Sequence, residues 1–343
     1  MSLYRPFSFL ISLLVCAGVA PAQQVTIRPD SAARRIDIRI DDAPFTSYIY
    51  PENLEKPVLY PIYTAAGSVI TRGFPLDPRP GERVDHPHHV GLWFNFENVN
   101  GLDFWNNSYA IPAANKHRYG SIKHRRITGI KEGKRGSLGT ESVWVDQSGK
   151  ILLTERTTFF FTQHGSHRLI ERRTTLIADT QVTFRDSKDG LIAIRMDRAF
   201  EDKDQKEGEF HDAQGKVTRI KALDNTGVNG IYRNSEGKEK ESGVWGKPAR
   251  WVSLSATKNK EQISVAIIDH PKNPGYPAYS HARGYGLFAS NNLAVKAFNP
   301  AAEPVRIDLK PGEELKFRHL IVISSGGFLS KGELDKLAER FGK

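Results

Sequence analysis

The sequence predicts an all-β chain: a large antiparallel β-sandwich with one short C-terminal helix. Two observations lead there. Apolar and polar residues alternate with period 2 through most of the length, and clusters of Gly, Asn, Asp, Ser and Pro punctuate the alternating runs. Helical spacing shows itself only near the C-terminus.

Taken in order, Ile36-Asp37-Ile38-Arg39-Ile40 reads as a strand with one face buried. The same pattern, rich in Val, Ile, Thr and Phe, returns over 142–145, 151–161, 169–177, 191–195, 251–254, 263–268 and 315–323. Gln147-Ser148-Gly149, Gln163-His164-Gly165, Lys188-Asp189-Gly190, Ser235-Glu236-Gly237 and Lys310-Pro311-Gly312 supply the turns. The helix is announced by Ser330 and Glu333, a capping box in which each side chain satisfies the other's backbone N–H. Leu334, Leu337 and Phe341 then share a face.

The first 22 residues are set apart. Arg5, the apolar run 7–15 and the small residues Ala20 and Ala22 form a signal-peptide pattern with cleavage before Gln23, so the protein is expected in the periplasm or secreted. No Gly/Ser/Pro linker divides the remainder. Residues 23–343 are expected to form a single sandwich domain with a polar insertion near 201–216.

Composition excludes several classes. No later run is long and apolar enough for a membrane-spanning helix. The 18 Phe, 11 Tyr and 5 Trp argue against a disordered chain. The one cysteine, Cys16, lies in the leader, so thiol nucleophiles, disulfides and thiolate metal sites fall away with it. The net charge of +10 is spread along the chain. Its densest run, from Lys123 to Arg135, reads as an exposed strand and turn, not as a nucleic-acid surface.

Chemistry concentrates in 71–105. A Pro-rich loop leads into Asp85-His86-Pro87-His88-His89 and then into the aromatic run Trp93, Phe94, Phe96, Phe104, Trp105. Pro87 is expected to hold His86 in extended backbone, and an extended segment would put His86 and His88 on one side with His89 opposite. Such imidazoles suit general acid–base work. No cofactor is required, although His86 and His88 would also be the pair for a divalent metal. Alternation sends Phe94 and Phe96 to one face and Trp93 to the other. The second face, with Glu97, Asp103 and neighbouring Asn residues, offers rings and polar groups of the kind that hold sugars. Glu97, Asp103 and Asp197 are the acidic candidates should the chemistry need two carboxylates. A later segment, from Asp269-His270-Pro271 to Tyr285, adds His281 and Arg283. The strand-end charges Arg195, Asp197 and Arg198 rank below these.

The strings Tyr60-Pro61-Ile62-Tyr63, Thr71-Arg72-Gly73-Phe74-Pro75, Asp85-His86-Pro87-His88-His89, Leu92-Trp93-Phe94, Asn100–Trp105, Asp269-His270-Pro271 and Tyr285–Ala289 together resemble the PmoA-like family of exported bacterial proteins, labelled "methane oxygenase PmoA". The resemblance implies a sandwich of the galactose-mutarotase type and a place among sugar-processing proteins. The label's oxygenase is an integral membrane subunit, which this chain does not resemble.

The expected function is therefore an exported carbohydrate-active hydrolase, lyase or epimerase acting on a sugar or oxidised glycoside. His86, His88, His89 and His281 would carry acid–base chemistry near neutral pH. Arg72, Asp85, Trp93, Glu97, Asp103, Trp105 and Arg283 would bind the carbohydrate. A non-catalytic glycan-binding protein and a metal-dependent oxidoreductase are the alternatives.

Overall fold

The computed structural model describes residues 23–203, 207–212, 214–221 and 224–343. The expected leader, residues 1–22, lies outside them. Strands take up 49% and helices 8%, which makes the chain all-β as the alternation requires.

The strands in the first half of the chain are β1 (Val25–Asp30), β2 (Arg35–Ile40), β3 (Ala43–Ile49), β4 (Val58–Ile62), β5 (Leu92–Phe96), β6 (Ser121–Lys131), β7 (Gly136–Val145), β8 (Ile151–His164) and β9 (His167–Ala178). The chain continues with β10 (Val182–Arg185), β11 (Gly190–Arg195), β12 (Gly208–His211), β13 (Val217–Ile220) and β14 (Ile231–Asn234). It closes with β15 (Trp251–Lys258), β16 (Glu261–Asp269), β17 (Tyr279–Arg283), β18 (Leu287–Asn291), β19 (Arg306–Leu309) and β20 (Glu314–Ser325). Two α-helices are present among the described residues, α1 (Lys240–Val244) and α2 (Lys331–Gly342).

Two eight-stranded antiparallel sheets face each other. The first runs β1-β2-β3-β4-β5-β11-β18-β17 and the second β14-β15-β16-β20-β9-β8-β7-β6. Their inner faces enclose one apolar core, to which β2 gives Ile36, Ile38 and Ile40, and β5 gives Phe94 and Phe96. The sequence signs β2 because its inner face meets the core while the other is only half-buried.

The helix α2 lies on the outer face of the second sheet, where Leu334, Ala338 and Phe341 join Trp251, Ile268 and Leu320. Its capping box is formed: Ser330 Oγ accepts from the Glu333 N–H, and Glu333 accepts from the Ser330 N–H at 2.8 Å. The basic run 123–131 is an exposed edge strand, as expected. Within 201–216, β12 belongs to a hairpin with β13; residues 204–206 and 213 lie outside the described part.

The centre of the first sheet departs from alternation. Both β5 and β11 are buried at every residue, because loops cover their outer face as well. A second apolar cluster sits there, built from Tyr60, Val90, Trp93, Trp105, Ala193, Leu287 and Ala289. Trp93, Ala193, Ala289 and His281 stand side by side across β5, β11, β18 and β17. The two alanines leave a trough between two large rings. Trp105 lies over it, 5.3 Å from Trp93 and 6.2 Å from His281 between centroids.

Candidate functional site

The histidine segment is a turn, not the extended run the sequence predicts. The His89 N–H donates to the His86 carbonyl at 2.9 Å, and His86 has φ +44°, a left-handed conformation unusual for any residue but glycine. Pro87 therefore does not keep His86 extended. The physical reason is Arg72, buried beneath the turn. Its Nη1 donates to the Asp85 carbonyl at 2.9 Å and to Asp85 Oδ1 at 2.7 Å, while Nη2 reaches the carbonyls of His86 and His89 at 3.0 Å. A planar guanidinium with several donors can fix a turn in this way. Backbone held in a sparsely populated region by its surroundings is a mark of functional sites.

The turn brings all three imidazoles together. His86 stacks on His89 at 4.8 Å and on Tyr285 at 4.9 Å, and His89 stacks on Trp93 at 5.3 Å. His88 meets His89 edge to face at 4.3 Å. Arg195, fully buried at the end of β11, donates to Asp85 Oδ1 at 2.7 Å and to His89 Nδ1 at 3.3 Å. A guanidinium has no acceptor, so His89 must be the acceptor at Nδ1 and carries its proton on Nε2. That Nε2 is buried with no hydrogen-bond partner, as are His88 Nε2, Trp93 Nε1 and His281 Nδ1. Buried polar atoms left unpaired are costly, and these four lie close together over the outer face of the first sheet, on rings that touch one another or Trp105.

Charge is arranged unevenly. Burial works against ionisation of Asp85, but Arg195, His86 and Arg72 outweigh it and hold its carboxyl well below the usual range. His86 Nδ1 stands 3.3 Å from Asp85 Oδ2, off the line of a hydrogen bond. Burial, with Lys56 beside one and His88 beside the other, pushes His88 and His89 well below the usual imidazole value. Burial takes His281 down to about 4, although Asp189 at 3.4 Å opposes it. At neutral pH these three are uncharged rings. The expectation that they titrate near neutrality is corrected by their desolvation. His86 is the exposed member, its side chain 40% accessible.

The remaining expected residues divide. Trp105 bridges the two histidine groups, 5.8 Å from His89 and 6.2 Å from His281. Asp103 accepts from the N–H groups of Trp105 and Asn106 and so shapes the loop that carries Trp105. Glu97 accepts from Ser187, and with Asp103 it lines a neighbouring cleft of about 220 Å³. Burial, partly offset by hydrogen bonds, raises both carboxyls. Arg283 points toward Glu241 and the Trp245 ring instead of the histidine stack. Asp197 caps the short 3-10 turn at 198–200 and pairs with Lys258. Asp269 is buried among Asn273, Asn292 and the Ala278 N–H, a structural network.

Sequence reasoning passed over Lys56 and Asp189 and underrated Arg195. Arg195 had a signal, a lone guanidinium ending the apolar run 191–194. Lys56, buried with its Nζ on the His88 carbonyl at 2.8 Å, had none. Among the described residues no three His, Asp or Glu side chains form a metal-ligating group, and no helix is long and apolar enough to cross a membrane.

A family model matches residues 35–339, nearly all of the sandwich. The chain belongs to DUF6807, a family of unknown function. This overturns the PmoA-like resemblance: the matched family is a different one, and nothing indicates the PmoA-like family. None of the curated proteins matches this DUF6807 chain.

Solved structures similar to it include the GH36 α-galactosidase AgaB from Geobacillus stearothermophilus, at 12% identity and TM-score 0.41 over 88% of this chain and 41% of that one. The galactosidase domain of the α-galactosidase-sucrose kinase AgaSK follows at 11% and 0.39, over 87% and 42%. A galactose mutarotase-like protein from Clostridium acetobutylicum is similar at 8% and 0.35, over 88% and 98%. The chain spans about two fifths of the length of the two galactosidases. At that similarity no residue role passes from them to this chain.

Proposed function

We propose that this DUF6807 protein is an exported carbohydrate-active enzyme, a hydrolase, lyase or epimerase acting on a sugar or oxidised glycoside. The outer face of its first sheet would be the site. The observation that carries the reading is the set of unpaired buried polar atoms on His88, His89, Trp93 and His281 beside stacked rings. Sugar hydroxyls both donate and accept, so they satisfy such atoms, while the apolar sugar faces cover rings. The leader pattern in residues 5–22 supports export.

His86 is the acid–base group in this reading. It lies at the mouth of the site beside the Asp85 carboxylate, which Arg72 and Arg195 fix in place. An ionised carboxylate next to an imidazole orients it and stabilises the imidazolium formed when it takes a proton. His88, His89 and His281, neutral at working pH, would orient hydroxyl or carbonyl oxygens. Hydrolysis, elimination and epimerisation all need one such proton transfer.

The test is a panel of ordinary and oxidised glycosides with product identification by mass spectrometry. Turnover should fall about 10²–10⁴-fold in His86→Ala. Absence of binding and turnover across the panel, or full activity in that variant, overturns the reading.

A further inference from the structure

A cleft of about 520 Å³, a size usual for small-molecule sites, is lined in part by the edge strand β6. Tyr50 and His124 line it and stack with their ring centroids 4.0 Å apart. Burial lowers His124, so that ring is uncharged at neutral pH. Four cations, Arg34, Lys123, Arg125 and Arg126, stand around the two rings. Glu52, the one carboxylate among the lining residues, is paired with Arg34, and Arg126 makes two bonds of 2.9 Å to Glu141. Lys123 stands 3.4 Å from Glu55, which Lys116 also holds. Leu54 and Lys56 line both this cleft and the narrow space beside Pro87 and His88, so the cleft flanks the histidine turn.

Arg125 differs from the other three cations. The β6–β7 ladder pairs His124 with Ser142 and Arg126 with Glu141, so Arg125 is the extra residue of a β-bulge. Bulges re-aim side chains and recur beside functional sites. Among the described residues the Arg125 side chain makes no hydrogen bond, ion pair or ring contact, and it lines the cleft with its guanidinium unengaged.

We propose that this cleft binds an acidic oligosaccharide. The carboxylate or sulfate groups of the glycan meet Arg125 and Lys123, and an apolar sugar face covers the rings of Tyr50 and His124. A guanidinium fits a planar anion with two parallel N–H bonds, which an ammonium cannot do. A neutral sugar would have no use for the excess of cations, and a small inorganic anion none for the stacked rings. The proposal rests on the carbohydrate reading for the sugar, and it adds to that reading the charge of the ligand and a binding place beside the histidines.

The experiment is calorimetric titration of the full chain with tetramers of galacturonate and of mannuronate, each beside its neutral methyl ester, and with a chondroitin sulfate tetramer as the sulfated source. At least one acidic tetramer should bind, more tightly than its uncharged counterpart and more weakly as salt rises. Arg125→Gln should weaken that binding about tenfold, the usual worth of a hydrogen bond to a charged group. Its melting temperature should hold, since the side chain has no partner to lose. Lys316→Gln removes the same charge from β20, outside the cleft, and should leave binding unchanged. Should Arg125→Gln unfold, the ring protons of His124 in the unsubstituted protein must shift as the acidic tetramer saturates it. No binding, equal binding of acid and ester, equal losses in Arg125→Gln and Lys316→Gln, or tighter binding of a DNA tetramer than of any acidic glycan overturns the proposal. Binding is read without turnover. Neutral glycosides turned over with no acid bound would end this proposal and keep the carbohydrate reading, while an acid bound in the cleft with no glycoside turned over would do the reverse for the enzyme.

Discussion

His86 and His89 stack ring on ring, 4.8 Å between centroids and 2° from parallel. Two residues three apart in an extended chain would face opposite sides. They meet here because Arg72 gathers the carbonyls of both residues onto one nitrogen of its guanidinium. The geometry of the turn thus depends on a side chain that stands beneath it.

Replacing Arg72 tests that dependence. Arg72→Met leaves the Asp85 carboxylate with Arg195 as its one buried cation and five loop carbonyl and carboxylate contacts unmade. Breaking a buried charge pair from one side typically costs about 3–5 kcal/mol. Arg72→Lys should recover little of this, since an ammonium cannot span the same carbonyls. Urea unfolding of both variants reads the loss. A cost under about 1 kcal/mol in either would show that the turn holds itself.

The acid response has a definite sign. His281 is neutral and buried in the fold with a value near 4, whereas an unfolded histidine titrates near 6.5. Its contribution is fully present above about 6.5 and is lost as pH falls toward 4, up to about 3 kcal/mol in all. His319, lowered by burial to about 3, adds in the same direction, as do His88 and His89. The urea midpoint should therefore drop between pH 7.5 and 4.5, and drop less in His281→Gln. Equal slopes in the two proteins would remove His281 from the explanation.

How much of this the sequence discloses depends on distance along the chain. Ile36, Ile38 and Ile40 announce β2 because each residue's environment follows its parity. Ser330 and Glu333 announce α2 because a capping box is local. Phe94 and Trp93 part to opposite faces as alternation requires. The turn at His86 escapes such reading, because Arg72 lies thirteen residues before Asp85 and nothing in the intervening loop betrays the contact. Lys56 escapes for the same reason: a buried lysine looks like any surface lysine until His88 and Trp93 are seen around it. The β11 strand, buried at every residue and apolar up to Arg195, hid its outer face, since covering loops erase the alternation that would have marked it.

The C-terminal helix offers a local check. Ser330→Ala removes the side-chain acceptor of the Glu333 N–H and leaves the apolar face of α2 untouched. The loss should be about 1 kcal/mol, the usual worth of an N-cap. Ser330→Asp should retain stability, because a carboxylate caps as well and favours a helix N-terminus. Thermal melts distinguish these; equal losses in both variants would mean that docking on Trp251 and Leu320, not the cap, fixes the helix start.

The three adjacent histidines should separate when each is changed to alanine. His89 is 2% exposed, stacked on both His86 and Trp93 and hydrogen-bonded to Arg195. His89→Ala leaves a cavity against Trp93 and takes the acceptor from a buried guanidinium, so stability should fall by a few kcal/mol. His86, with a side chain 40% accessible, makes fewer buried contacts, and its positive φ favours no particular side chain. His86→Ala should melt within about 1 kcal/mol of the unsubstituted protein, and His86→Gly should match or exceed it by relieving the left-handed backbone. Both must lose turnover if His86 moves the proton. His88 lies between, since its backbone carbonyl receives Lys56 and persists in the alanine variant. Its replacement should leave folding nearly intact and weaken ligand binding through the lost Nε2. Differential scanning calorimetry of the series, run beside glycoside turnover, reads both quantities on the same samples. Large destabilisation in all three would make the cluster structural; stability retained with activity lost only in His86→Ala and His86→Gly would assign the proton transfer to that ring.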